Sequence, residues 1–300
     1  MAYGIDVSVS TLKQVMYSLQ YMLRDVNMAG WTYIDGMVGG VVTTPGVSGP
    51  AWLAVSDPDT ELLDGDYVVL QAPVVTGADN GVVSLWLVDG GSKYLELQAH
   101  PAGWDATTHT SKDATQDLGG STCIVCGDSD VSELRVIVNS KRAIIFGMDA
   151  LLTPYYFGYL GFIQSHYGDV EVAPDTNPLL VTGGQYTPGV AGAPMSMLSA
   201  GTTPTPTQYF VNGPTTLKDT AGDVMLETMQ WNRRESPPIP TRSLIPCLIG
   251  CKTVGETEIR GELEGVFYYG PAASLAEDTP VTRSGATYII VSDIAVGPVS

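Results

Sequence analysis

The segment STCIVCGDSD, residues 121–130, gathers thiols, carboxylates and hydroxyls within ten positions, a density that invites metal, redox or nucleophile chemistry. Cys123 and Cys126, followed by Gly127, have the spacing of a zinc knuckle, and Cys247 with Cys251 could complete a four-thiolate site. The second pair has three residues between its members, and nothing in the sequence fixes the two pairs side by side. The expectation is therefore ordinary buried thiols, with no metal and no cofactor. A bridge between Cys123 and Cys126 is disfavoured if the segment is a strand. Residues three apart then lie about 10 Å apart, beyond the roughly 7 Å that a disulfide spans, and face opposite sides of the sheet. A bridge between the two segments, or between subunits, stays open. A thioredoxin-type pair should begin a helix in a βαβ pattern, which this chain lacks.

Gly-Asp-Ser at 127–129 is similar to a block of certain lipases and esterases, in which an Asp-x-x-His block follows near the C-terminus. Here no histidine follows His166, and none of His100, His109 and His166 has an aspartate three residues before it. Ser129 thus lacks a base, and a solvated turn is expected. Asp105 and His109 lie in a polar stretch, GWDATTHTSKD, without a third ligand of the usual type. Glu262 and Glu264 alternate along a strand-like run and so share a face that could serve a glycosidase, although alternating acids more often form a strand's wet side. No glycine-rich phosphate loop occurs. No catalytic residue is assigned, and a non-enzyme is expected.

The balance of 14 Lys+Arg against 32 Asp+Glu gives a net charge of −18, which disfavours nucleic acid as a partner. Charged residues make up 15% of the chain, below the roughly 25% usual for soluble domains, so the surface is neutral and polar, as suits a protein that lives against protein neighbours. The segment MAYGIDVSVSTLKQV has neither a basic n-region nor an apolar run, so cytoplasmic synthesis is expected. The apolar runs, such as PYYFGYLGFI, are too short for a membrane helix, and no membrane is expected as a partner.

The elements that must position these residues are mainly β. Leu12, Val15, Met16, Leu19, Met22, Leu23 and Val26 recur at helical spacing, with Thr11 and Gln14 as a capping box and Gly30 as a stop. This apolar face is expected either to pack on its own core or, in the reading adopted here, to be an assembly interface that docks on a neighbour. Beyond residue 50, runs such as DYVVLQAPVV, GVVSLWLVDGG, KYLELQ, STCIVC, ELRVIVNS and RAIIFG alternate with turn residues, including Asp79-Asn80-Gly81 and Asp89-Gly90-Gly91. Their spacing predicts an antiparallel β-sandwich or barrel body preceded by one amphipathic helix. The organisation expected is a helix and linker arm over 1–49 and a β domain over 50–186. A Pro/Gly/Thr-rich loop or linker over 187–222 and a C-terminal β region over 223–300 complete it.

Two stretches, PYYFGYLGFIQSHYGDVEVAPDTNPLLVTGG and RGELEGVFYYGPAASLAEDTPVTRSGATYIIVSDI, together about a fifth of the chain, resemble segments of structural proteins of tailed-bacteriophage virions. The resemblance implies a virion subunit of the tail, baseplate or neck, with copies of itself and other virion proteins as partners. The alternative is a carbohydrate-binding or carbohydrate-cleaving β protein of the receptor-binding type. There Trp86, Trp104 or Trp231 would stack on sugars and Glu262 or Glu264 would act on them.

Overall fold

The computed structural model describes residues 3–43, 52, 54–73, 82–91, 93–100, 103–112, 123–127, 132–149, 154–162, 164–165, 179–185, 195–200, 208–212, 245–253, 256–268, 280–283, 285–291 and 294–299. In chain order the first elements are β1 (Tyr3–Ser8), α1 (Leu12–Arg24), β2 (Thr32–Val38), β3 (Val41–Val42), α2 (Pro58–Glu61), β4 (Tyr67–Gln71), β5 (Val82–Asp89) and β6 (Lys93–His100). Next come β7 (Trp104–Asp105), β8 (Thr110–Ser111), β9 (Cys123–Gly127), β10 (Glu133–Val138), β11 (Arg142–Met148), β12 (Pro154–Phe162), β13 (Gln164–Ser165) and β14 (Leu179–Gln185). The remainder are β15 (Met195–Ala200), β16 (Gln208–Asn212), β17 (Ile245–Thr253), β18 (Glu256–Tyr268), β19 (Pro280–Arg283), β20 (Ala286–Val291) and β21 (Ile294–Val299).

Among the described residues every strand pair is antiparallel, as expected for a mainly β chain with one N-terminal helix. One sheet has six strands in the order β3-β2-β4-β5-β6-β9. A second, of 13 strands, runs β1-β10-β11-β12-β14-β15-β16-β17-β18-β21-β20-β19, with β13 pairing back onto β18. Since β13 continues β12 after a single residue, β12/β13, β14, β15, β16, β17 and β18 close into a ring. An even number of strands is what an antiparallel ring requires, because each crossing reverses direction.

Period-two alternation sets the layers. Val68 and Leu70 of β4, Val83, Leu85 and Leu87 of β5, and Leu95 and Leu97 of β6 face one way and meet α1 together with Leu134, Val136 and Val138 of β10. Strand β11 is buried along its whole length: Ala143 and Ile145 join this core, while Arg142, Ile144, Phe146 and Met148 are buried on the alternate face. A strand covered on both faces reads as a continuous apolar run, which RAIIFG does. At Gly265 of β18, φ is +80° and a methyl group would collide with the Arg142 guanidinium, so only glycine fits there.

The helix is not an arm. Leu12, Val15, Met16, Leu19, Met22 and Leu23 are buried in the chain's own core, each such burial worth roughly 1.5–3 kcal/mol, and none faces outward for a neighbour. Thr11 caps the helix, accepting from Gln14 N at 3.2 Å, and Asp25 ends it, so Val26 lies beyond the helix and is 85% exposed. The flanking segments belong to the body as well, since β1 pairs with β10, and β2 and β3 edge the six-stranded sheet. Gly30, expected as the stop, has a left-handed φ of +68° in the turn after the helix. The Pro/Gly/Thr-rich stretch also differs from a plain loop, because β15 and β16 lie within it and pair with each other. Among the described residues no helix is long and apolar enough to cross a membrane.

Candidate functional site

The face of the six-stranded sheet turned away from α1 carries an unusual group of side chains. Register aligns Tyr67, Trp86 and Glu96 in one row, Val69, Ser84 and Gln98 in the next, and Gln71, Val82 and His100 in the third. In sequence this looks like a wet face, with polar residues at alternate positions of VVSLWLVD and KYLELQAH. The short hairpin β7–β8 instead covers it: Trp104 and Ala106 pack on Tyr67, Val69, Val82, Ile34, Met37 and Trp86. The Tyr67 and Trp86 rings stack at 4.3 Å between centroids, and Trp104 meets the His100 ring edge-on at 4.8 Å.

Asp35 of β2 sits at the centre with no solvent exposure. A register shift between Tyr33 and Asp35 sets its place opposite Val69. Oδ1 accepts from Gly36 N at 2.8 Å, and Oδ2 accepts from Trp104 Nε1 at 2.7 Å and His109 Nδ1 at 2.8 Å. Three donors are what a buried carboxylate needs to offset its lost hydration. The neighbouring Gly36 is fixed by space, since a Cβ there would lie 2.7 Å from the Tyr67 carbonyl oxygen and 2.9 Å from Trp52 Nε1. His109, about 30% exposed, has φ +57°, a left-handed conformation that costs a non-glycine residue about 1–2 kcal/mol.

A second group adjoins the first. Trp86 Nε1 donates to Ser84 Oγ at 2.7 Å, and Ser84 Oγ lies 2.7 Å from His100 Nε2. That is the distance of a nucleophile and its base, yet Ser84 is fully buried and His100 is 3% exposed, so the pair is sealed under the hairpin. Burial holds the His100 pKa down to about 4, which keeps the ring neutral at ordinary pH. Burial, helped by the Asp35 charge, pushes the Tyr67 phenol up to about 12, and its Oη has no hydrogen-bond partner among the described residues.

The residues singled out in sequence fall elsewhere or take other parts. Asp105 does not join His109 as a metal pair: it caps its own turn, accepting from Thr107 N at 2.8 Å, while His109 turns to Asp35. Cys123 and Cys126 lie in β9 opposite Leu97 and Leu95, with Val125 bulged between them, so residues three apart in β9 pair with residues two apart in β6. Cys247 and Cys251 lie in β17 of the other sheet, Cys251 opposite Tyr209 and Glu258. Glu262 is paired on both sides, with Leu248 of β17 and Gln164 of β13, whereas the β17–β18 ladder is interrupted between Glu262 and Phe267, where Glu264 lies. Trp104 is core and Trp86 half-buried, while Ser129, His166 and Trp231 lie outside the described residues. Among the described residues no group of three His, Cys, Asp or Glu could hold a metal ion.

Sequence reasoning missed Asp35, Ser84 and His100. The partners that bring them together across the sheet, Ser84 with His100 and Asp35 with Trp104 and His109, are 16 to 74 positions apart along the chain, so no local motif marks them. No protein-family model matches the chain, and no curated protein matches it.

Proposed function

We propose that this chain is a structural subunit of a tailed-phage virion that joins tail, baseplate or neck components through protein–protein interfaces and works as a homo-oligomer. The observation that carries the reading concerns the two stretches that resemble virion proteins. The first supplies β12, β13 and nearly all of β14, the second supplies most of β18 and all of β19 and β20, and the two are hydrogen-bonded to each other where Gln164 and Ser165 pair with Glu262 and Gly261. Segments far apart in sequence thus form one continuous piece of sheet. The polar cluster under the β7–β8 hairpin is consistent with this role, because its hydroxyl and its carboxylate are each bonded to an imidazole and an indole and tie strands together. Low charge density fits a surface that meets other proteins.

Peptide mass spectrometry of purified mature phage particles tests the proposal. Peptides of this chain at a constant ratio to the other virion proteins are expected, and the purified chain should run as a discrete oligomer in native mass spectrometry. Absence from mature particles would remove the reading.

A further inference from the structure

We propose that residues 103–112 form a strap that opens as a unit, with Asp35 as its latch, uncovering the aromatic face of the six-stranded sheet. The inference is independent of the assembly reading, since it concerns motion within one subunit.

The strap is a separate two-stranded element, closed on itself by the β7–β8 pairs Trp104↔Ser111 and Asp105↔Thr110 and by Lys112 N donating to Gly103 O at 3.0 Å. It lies across the sheet without joining the sheet's ladder, so its departure breaks no strand pairing there. Gly103, where it begins, has φ +90° and donates to His100 O at 2.9 Å, which makes that end the hinge. Trp104 on β7 and His109 in the turn before β8 are both held by one oxygen, Asp35 Oδ2. One acceptor therefore serves both Trp104 and His109, alongside the packing of Trp104 on the aromatic face.

Two further observations favour opening. His109 has a strained left-handed backbone while its ring is bonded to Asp35, and release would let that strain relax. The Tyr67 hydroxyl, in a residue 4% exposed and without a hydrogen-bond partner among the described residues, gains one once the strap lifts. The uncovered surface would present the stacked Tyr67–Trp86 pair, of which Trp86 is only partly buried in the closed form, and the sealed Ser84–His100 pair.

Hydrogen–deuterium exchange of the full chain, followed by mass spectrometry, tests this by comparing peptides over 103–112 with peptides over 82–89. In the wild type the strap should exchange faster than β5 and with little dependence on subdenaturing urea, as local opening exposes little surface. Asp35→Asn and His109→Ala should each speed strap exchange at least tenfold and leave β5 unchanged. His109→Gly also gives up the latch but suits the left-handed backbone, so its strap should exchange more slowly than that of His109→Ala. If Asp35→Asn is insoluble, the two His109 variants carry the test. Strap and β5 exchanging at one rate with one urea dependence in the wild type would overturn the proposal. So would latch variants that speed both regions alike.

Discussion

His100 makes the stability of the fold depend on pH in a way that can be worked out beforehand. Its pKa is lowered from 6.5 to about 4 because the protonated ring would be a buried cation beside Trp104 and Ser84. In the unfolded chain the ring takes up a proton as pH falls through 6.5; in the folded chain it stays neutral until about 4. The unfolded state therefore binds more protons in that window, and the stability contributed by a neutral His100 is complete above pH 6.5 and lost as pH falls towards 4. Because pH 5 lies about 1.5 units below the unfolded value, and each unit is worth roughly 1.4 kcal/mol, the folded state should lose about 2 kcal/mol between pH 7.5 and pH 5 from this residue alone. The chain's many carboxylates add their own pH dependence, so a variant must isolate the term. His100→Gln keeps a polar partner for Ser84 but cannot titrate. Urea unfolding of both proteins at pH 7.5 and pH 5, followed by tryptophan fluorescence, gives each protein's own loss on acidification. The wild type should lose about 2 kcal/mol more than His100→Gln, whatever the variant's starting stability. Equal losses would refute the assignment of a sealed, neutral His100.

Four other outcomes follow from the packing. Gly36→Ala should cost about 2 kcal/mol or more, seen as a lowered melting temperature, because its methyl group would sit 2.7 Å from the Tyr67 carbonyl oxygen in a wall of backbone and ring atoms. Leu19→Ala, at a position with no exposure in the main core, should cost about 2–5 kcal/mol by urea unfolding; a loss below 0.5 kcal/mol would revive the idea of a helix that serves a neighbour. Asp66 accepts from Gly39 N, Gly40 N and Leu63 N, so Asp66→Ala should lower the melting temperature and speed amide exchange in the β2–β3 hairpin, whereas Asp66→Asn, which keeps one acceptor, should do less. In an ultraviolet titration, Tyr67 should ionise only near pH 12 or on unfolding, and Tyr67→Phe should remove that late step.

What could be read in the sequence was what depends on near neighbours. Strands β4, β5, β6, β10 and β11 were legible because apolar alternation and flanking Gly, Asp and Asn act locally, and Asp89-Gly90-Gly91 indeed joins β5 to β6 in a hairpin that pairs Asp89 with Lys93. The helix was legible for the same reason. Its partner was not, since an amphipathic face announces that it must be covered without saying by what. The strands β15 and β16 were obscured by the surrounding Pro, Gly and Thr residues. The Val125 bulge was invisible, and with it the shifted register of Cys123 and Cys126, because one extra residue in a strand has no signature when its partner strand is unknown. The cluster around Asp35 was the least legible part. His109 was noticed beside Asp105, its sequence neighbour, while the carboxylate that holds it comes from another strand.

The strand ring has a consequence for how the molecule comes into being. One seam joins residues 164–165 to residues 261–262, and it cannot form until residue 262 has left the ribosome, about a hundred residues after the first strand of the pair. Until then β13 has an edge waiting for residues not yet made. Topologies dominated by such distant pairings fold in milliseconds to seconds rather than microseconds, because a long loop must be closed before any contact rewards it. During that interval identical chains on one polysome present identical open edges to one another, the circumstance in which strands pair between molecules instead of within them. Yield on expression should thus depend more on temperature and synthesis rate than the stability of the finished protein would suggest.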